Sequence, residues 1–177
     1  MNLYEYEGKQ LFRQFNIPTP IGQLVDSPHS AEQTARQLGK AVALKSQVLS
    51  GKRGKAGGIR LVGTPEEAFQ AANDLLSSVI NNEMVQKVLI EEQVDIVEEI
   101  YVGITIDRKQ GKALLIISCA GGMDVEEHIG DEARFVTMPL NEVQPFWVYK
   151  LYEPLKSIGL RGKLMKDIAD IALSLVQ

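Results

Sequence analysis

Glycines and basic side chains cluster in one short segment of this chain. Residues 45–58 hold four glycines and four cations: Gly51, Gly54, Gly57, Gly58, Lys45, Lys52, Arg53 and Lys55. Glycine lets backbone N–H groups approach an oxyanion closely, while Lys and Arg add charge-assisted hydrogen bonds. The segment therefore predicts a clamp for phosphate groups. The alternative, from these residues alone, is a solvated and flexible hairpin tip.

The spacing of this segment excludes two well-known phosphate-binding loops. A Walker A loop requires Gly-x-x-x-x-Gly-Lys-Ser/Thr, but Ala56 follows Gly54-Lys55, and Leu49 stands five residues before Gly54. A dinucleotide-binding turn joins a strand to a helix, whereas residues 59–62 predict a second strand. We therefore expect a lid that connects two strands and covers a nucleotide.

The elements that must position this lid are predicted by capping signals and by apolar periodicity. Residues 3–15 predict a helix capped by Asn2, and residues 21–25 predict a strand. A helix is expected from Pro28 to Gly39, and a capping box at Thr64 predicts another from Pro65 to about Ile80. The lid itself is flanked by predicted strands at 41–48 and 59–62.

The second half of the chain predicts further strands and helices. The strands are expected at 87–92, 100–107 and 112–118, and the helices at 123–129 and 163–176. One face of the last helix is apolar and comprises Leu164, Ile168, Ile171, Ala172 and Leu175. An uncovered apolar face is an interaction surface, so we expect self-association or a mobile C-terminal end.

Composition restricts the classes of protein to which the chain can belong. Its 177 residues are 45% hydrophobic and carry a net charge of −4, which predicts a soluble globular protein that does not bind nucleic acid. The single cysteine, Cys119, lies in an apolar run, so we expect its side chain to be buried. Because one cysteine cannot form an intramolecular disulfide, we also expect a reducing compartment. Since neither a signal peptide nor a membrane-spanning stretch is visible, we expect a cytoplasmic protein without membrane attachment.

Four separated blocks of the sequence occur together in one known family. They are MNLYEYEGKQLFRQFNIPTPIG, LKSQVLSGKRGKAGGIRLV, VLIEEQVDIVEEIYVGITIDR and GGMDVEEH. In this order they resemble the N-terminal part of the ATP-grasp β subunits of ADP-forming succinate–CoA ligases. Malate–CoA ligases and the N-terminal part of ATP-citrate lyases share the pattern, so the acyl substrate stays open. The resemblance implies an α+β, two-lobed ATP-grasp fold, with one lobe at 21–94 and an incomplete one formed by 1–20 and 95–177.

The resemblance also implies a role for particular residues in the phosphate clamp. Lys45 would reach the nucleotide phosphates from its strand, and Lys52, Arg53 and Gly54 would be the part of the lid that touches them. This agrees with the phosphate clamp predicted from the residue types alone.

Three further positions match the nucleotide site of that family. Glu91 falls where the family holds the adenine and ribose, Val94 at a contact made through a small residue, and Glu99 at an acid beside the nucleotide. Val94 departs from the bacterial subunits that have Thr there, so a hydroxyl contact would be absent. Pro20 resembles the ATP-preferring members.

The cofactors and partners that the resemblance implies are ATP or ADP, magnesium, and an α subunit with a phosphorylated histidine and the CoA site. In that family the magnesium ligands follow the point where this sequence stops, and neither His29 nor His128 has the Gly-His-Ala-Gly context of the phosphorylated histidine. We therefore expect the nucleotide-binding part of a succinate–CoA ligase of the tricarboxylic acid cycle, inactive as a ligase by itself. A non-catalytic nucleotide-binding or subunit-interaction module is the alternative.

Overall fold

The computed structural model describes residues 2–51, 53–108, 110–119, 135–140 and 148–176. Its contacts divide the chain into two compact units, Met1–Asp95 and Ile96–Gln177. Residues 1–20, which we expected to group with residues 95–177, belong to the first unit. The reason is that ion pairs join their helix to the strands that follow, and the Tyr6 N–H donates to the side-chain oxygen of Gln47.

The first unit contains three helices and six strands in its described residues. They are α1 Glu5–Gln14, β1 Gly22–Val25, α2 Pro28–Leu38, β2 Val42–Ser46, β3 Ile59–Val62, α3 Pro65–Leu76, β4 Val79–Ile80, β5 Glu83–Met84 and β6 Val88–Glu92. Four of the strands form an antiparallel sheet in the order β1-β6-β2-β3, and β4 pairs with β5. The prediction of a mixed helix and sheet fold is confirmed.

The capping signals of α2 and α3 work as predicted. The Ser27 hydroxyl accepts a hydrogen bond from the Ser30 N–H, and Gly39 ends α2 in the left-handed conformation at φ 65°. At the start of α3, the Glu67 N–H donates to the Thr64 hydroxyl while the Glu67 carboxylate accepts from the Thr64 N–H. Each helix therefore begins where the sequence predicts.

Two predicted helix boundaries are wrong. The first helix begins at Glu5 with Tyr4 in the N-cap position, rather than after Asn2, and the Glu7 carboxylate accepts from the Tyr4 N–H. The helix α3 ends at Leu76 instead of Ile80. Residues after Leu76 turn into the short β4–β5 hairpin, and the Ser78 hydroxyl donates to the Leu75 carbonyl at this end.

The core of the first unit lies between one face of the sheet and the two helices α2 and α3. Alternate residues of β2 and β6 point to this face, namely Val42, Leu44, Val88 and Ile90. They pack against small residues and one leucine of the helices: Ala31, Ala35, Ala68, Ala71, Ala72 and Leu75. The intervening strand residues point to the opposite face, which includes Lys45 and Glu91.

The described residues of the second unit form a three-stranded antiparallel sheet and two helices. Its elements are β7 Tyr101–Asp107, β8 Lys112–Ser118, β9 Phe135–Pro139, α4 Tyr149–Ser157 and α5 Gly162–Val176, and the strand order is β7-β8-β9. The β7–β8 pair and α5 were predicted. The helix α4 was missed because Pro154 lies inside it, and β9 was also missed. The helix predicted at 123–129 lies outside the described residues.

Part of the apolar face of α5 is covered within this unit. Ile168 and Ala172 are buried together with Leu151 and Leu155 of α4, and the expected self-association or mobile C-terminal end stays a prediction. Leu164 remains 38% exposed. The covered part of the face packs against α4 and β7.

Cys119 is only partly buried in the second unit. Its thiol donates a weak hydrogen bond to the Ile158 carbonyl at 3.4 Å, and it packs at the margin of the core. Burial raises the pKa of this thiol, and the negative charge of Glu98 adds to that effect.

No helix in the described part of the chain has the length and apolar character needed to span a membrane.

Candidate functional site

Lys45 and Glu91 meet because of the register between β2 and β6. Lys45 stands opposite Leu89, and Ala43 stands opposite Glu91, so Lys45 and Glu91 are diagonal neighbours on the same face of the sheet. The Lys45 ammonium donates to Glu91 Oε2 at 2.8 Å. The lysine predicted to reach a phosphate therefore already holds a carboxylate.

Glu91 is a buried carboxylate that two lysines neutralise. Its side chain is 1% exposed, and the Lys9 ammonium contacts both of its oxygens, lying 2.5 Å from Oε2. Gly22 stands opposite Glu91 in β1, where an added Cβ would lie 2.7 Å from the Glu91 Cγ. A residue without a side chain is thus required beside this carboxylate.

Glu5, at the start of α1, joins the same ion-pair cluster. Its Oε1 lies 3.3 Å from the Lys45 ammonium and 3.0 Å from that of Lys9, while its Oε2 contacts the Arg53 guanidinium. Burial raises the pKa of Glu5, but the charges of Lys45, Arg53 and Lys9 outweigh it and lower the pKa from 4.5 to about 2. Glu5 is therefore ionised at neutral pH.

Lys45 is also held in its charged form. Burial lowers the pKa of Lys45, but the hydrogen bond to Glu91 and the charge of Glu5 outweigh it, so the pKa lies above its ordinary value.

The Gln47 side chain connects the end of β2 to α1. Its amide donates to the Lys45 backbone carbonyl, and its oxygen accepts from the Tyr6 N–H of α1 at 3.1 Å. This bridge fixes the start of α1 beside Lys45.

The lid between β2 and β3 is a tight backbone turn. The Gly58 N–H donates to the Arg53 carbonyl at 2.8 Å, and the Gly57 N–H donates to the Gly54 carbonyl at 3.1 Å. Gly57 has a φ of 79°, which favours glycine. An added Cβ on Gly58 would lie 2.3 Å from the buried Ser46 hydroxyl. The N–H groups of Gly57 and Gly58 are thus bonded to carbonyls of the turn itself, whereas we expected from the sequence that the glycine N–H groups approach an oxyanion.

The first residues of the lid are anchored by the β4–β5 hairpin. The Glu83 carboxylate accepts from the N–H groups of Leu49 and Ser50, both at 2.9 Å, and the Asn81 amide donates to the Gly51 carbonyl. The bond from the Leu49 N–H is the main reason why the pKa of Glu83 lies below its ordinary value. The sequence interpretation missed this anchor.

Three of the predicted site residues belong to one cluster. Lys45 and Arg53 both contact Glu5, and Lys45 contacts Glu91. The carboxylate of Glu91 points to lysines, whereas the resemblance placed it at the adenine and ribose.

The other predicted site residues that the structure describes, Gly54, Val94 and Glu99, are not members of this ion-pair cluster. Gly54 shapes the turn, Val94 is 50% exposed after β6, and Glu99 is exposed in the second unit. Lys52 lies outside the described residues.

The sequence interpretation missed Glu5 and Lys9 as members of the site. They are four residues apart on α1 and pair with each other. The only sequence signal is this spacing, which is common on solvated helix faces.

The cluster is suited to bind an anion rather than a metal ion. Among the residues that the structure describes, its three cations, Lys9, Lys45 and Arg53, face the two carboxylates of Glu5 and Glu91, which leaves a net charge of +1. The oxygens of Glu5 and Glu91 are taken up by these cations, so this donor set does not fit magnesium. Among the residues that the structure describes, no three His, Cys, Asp or Glu side chains lie together in a way that could hold a metal ion.

The family model for the ATP-grasp domain matches residues 2–177. The chain belongs to the ATP-grasp family. The ADP-forming succinate–CoA ligase β subunit of Methanothermobacter thermautotrophicus is 40% identical over all of this ATP-grasp chain and 48% of that protein. The GDP-forming β subunit of Thermus thermophilus is 37% identical over 99% of the chain and 46% of that protein.

The ATP-grasp chain thus spans about half the length of the curated relatives it matches. A solved structure with the same fold is the dinucleotide-forming acetyl-coenzyme A synthetase 1 of Ca. Korarchaeum cryptofilum, in complex with coenzyme A, Ca-AMPCP and HgCl+. It has a TM-score of 0.75 and 18% identity, and the match covers 98% of this chain and 78% of that one. This likeness shows the fold alone.

Proposed function

We propose that this ATP-grasp chain is the nucleotide-phosphate-binding part of an ADP-forming succinate–CoA ligase β subunit. One observation carries the proposal: Lys45 from a strand and Arg53 from the lid converge on a single anionic group, the Glu5 carboxylate. Two cations held at one anion position are what a phosphate of ATP or ADP requires. The β-subunit relatives support the choice of reaction.

In the proposed reaction the protein contributes mainly position and charge. Lys45 and Arg53 would neutralise the phosphate oxygens as the terminal phosphoryl group moves to a histidine of the α subunit. The phosphoryl group would then pass to succinate, and the CoA thiolate would displace phosphate to form succinyl-CoA. The lid of glycines would exclude water from the phosphates.

The remaining residues enter the proposal by resemblance. Lys52 and Gly54 would complete the lid contact, and Glu91, Val94 and Glu99 would lie along the nucleotide. The Glu91 carboxylate is buried against Lys9 and Lys45. Its proposed role is therefore to hold the charged Lys45 side chain in place for the nucleotide. On the same basis we propose that the chain works with an α subunit, takes part in the tricarboxylic acid cycle and is located in the cytoplasm. Magnesium would accompany the nucleotide, and no described side chain is assigned to it.

Titration calorimetry with ADP tests the proposal. The Lys45→Ala variant removes a charge-assisted contact of about 1.5 to 3 kcal/mol, so ADP affinity should fall about ten- to a hundredfold. Lys40→Ala is the matched control, because Lys40 pairs with Glu92 outside the cluster. Equal affinity of Lys45→Ala and Lys40→Ala for ADP would refute the assignment.

The base preference is a separate question that the same method answers. The ADP-forming and GDP-forming relatives match the chain at nearly equal identity, 40% and 37%. By the resemblance, Pro20 matches the ATP-preferring members of the family. We therefore expect ADP to displace GDP from the chain in a competition titration, and the reverse order would overturn this preference without affecting the phosphate clamp.

A further inference from the structure

Glu5 occupies the position between the two cations of the proposed clamp. We propose that Glu5 is an internal anion that holds Lys45 and Arg53 in place and is displaced when nucleotide phosphates bind. This inference rests on the proposed nucleotide function. It makes Glu5 a positioning residue and the start of α1 a built-in competitor of the nucleotide.

The contacts of Glu5 are those of a phosphate substitute. Its two oxygens are divided between the cations, with Oε1 on Lys45 and Lys9 and Oε2 on Arg53. A carboxylate presents two anionic oxygens to neighbouring donors, as a phosphate group does. The nucleotide would therefore exchange one set of charge-assisted bonds for another at the same donors.

Of the two carboxylates in the cluster, Glu5 is the one that can leave. Glu91 lies on β6 between β1 and β2 and is nearly fully buried. Glu5 is the first residue of α1. All residues of α1 are described, and none of them is buried. Its side chain is 21% exposed, so a change of rotamer would carry it towards solvent.

Lys9 would keep Glu91 neutralised when a phosphate replaces Glu5. It contacts both oxygens of Glu91, so that carboxylate stays neutralised when Lys45 turns to a phosphate. Departure of Glu5 changes the net charge of the remaining cluster from +1 to +2, which favours a polyphosphate.

The test compares Glu5→Gln with Glu7→Gln in the 177-residue chain. Both variants remove one negative charge from α1, but Glu7 contacts Tyr4 and Tyr6 and none of the clamp cations that the structure describes. We expect Glu5→Gln to bind ADP and inorganic tripolyphosphate about tenfold more tightly, because a like charge beside the phosphates is gone. Glu7→Gln should bind them as the wild type does.

Stability provides a readout with the opposite sign. Glu5→Gln should lower the midpoint of denaturant unfolding while it raises anion affinity. Lower stability with unchanged or weaker anion binding would overturn the inference and leave Glu5 a structural residue. If wild type binds ADP and Lys45→Ala does not, but Glu5→Gln is no tighter than Glu7→Gln, the inference fails and the proposed function stands.

A measurement on the wild type covers the case in which Glu5→Gln does not fold. The ¹³C carboxyl resonance of Glu5 should move on addition of tripolyphosphate, whereas that of Glu7 should not. A static Glu5 resonance under saturating tripolyphosphate would overturn the inference. If wild type and Glu5→Gln bind neither ADP nor tripolyphosphate, both the inference and the proposed function are refuted.

Discussion

The Lys45 ammonium lies 2.8 Å from Oε2 of Glu91, a carboxylate that is 1% exposed. A buried ion pair that loses one partner normally costs about 3 to 5 kcal/mol, because an uncompensated charge remains. Here Lys9 stays on Glu91, so the loss of Lys45 should cost less stability. The nucleotide affinity of Lys45→Ala can therefore be interpreted once its folded fraction is known.

We predict that Glu5 contributes to acid stability. Its pKa is about 2 in the folded chain against an ordinary value of 4.5. A carboxyl with a lowered folded pKa stabilises the fold above pH 4.5 and loses that effect as the pH falls towards 2. Between pH 4.5 and 2, the free energy of unfolding measured with urea should fall by up to about 3 kcal/mol more in wild type than in Glu5→Gln.

Glu7→Gln serves as the control in the acid experiment. Other carboxylates with lowered pKa values, such as Glu83 and Glu92, remain in all three proteins. Their shared contribution cancels in the comparison. Parallel loss of stability in wild type and Glu5→Gln between pH 4.5 and 2 would contradict the prediction.

The tight approach at Gly58 predicts a destabilising substitution. In Gly58→Ala the new Cβ would lie 2.3 Å from the Ser46 hydroxyl and 3.1 Å from the Arg53 carbonyl. We expect a loss of about 1 to 3 kcal/mol in the free energy of unfolding, measured with urea, as for other overpacked sites. Gly51→Ala is the control, since no heavy atom lies within 4 Å of its Cβ position.

The Glu83 anchor predicts a change in the accessibility of the lid. Glu83→Gln keeps the shape of the side chain but replaces one of the two carboxylate oxygens that accept from Leu49 and Ser50. Trypsin should therefore cleave within residues 52–55 several-fold faster. Glu66→Gln, on the exposed surface of α3, should leave that rate unchanged. Equal cleavage rates in the two variants would show that the hairpin does not restrain the lid.

The two arginines near the lid should differ in their effect on nucleotide affinity. Arg53 contacts Glu5 in the cluster, whereas Arg60 donates to the Gly57 carbonyl and is exposed. Arg53→Ala should weaken ADP binding about tenfold or more by calorimetry, because it removes a charge-assisted contact. Arg60→Ala should change it by less than about threefold, given the smaller net value of a bond between an arginine and a backbone carbonyl at the surface. A reversed order would place the clamp elsewhere on the lid.

The sequence by itself determined where α2 and α3 begin and that a glycine-rich turn joins two strands. Ser27 and Gly39 bound α2, the Thr64 capping box starts α3, and the glycines of the lid shape a turn beside Lys45 and Arg53. These features depend on neighbours a few residues away, so short-range rules predict them. Where short-range signals conflict, as at Pro154 inside α4, prediction from the sequence failed.

Only the tertiary structure decided which charges meet. Lys9 and Glu91 are 82 positions apart in the sequence, and Glu5 and Arg53 are 48 apart. Their contacts depend on the β2–β6 register and on the attachment of α1 through Gln47. Many other pairings of opposite charges are compatible with the same composition. The packed backbone selects one of them, because a buried carboxylate must lie where cations can neutralise it.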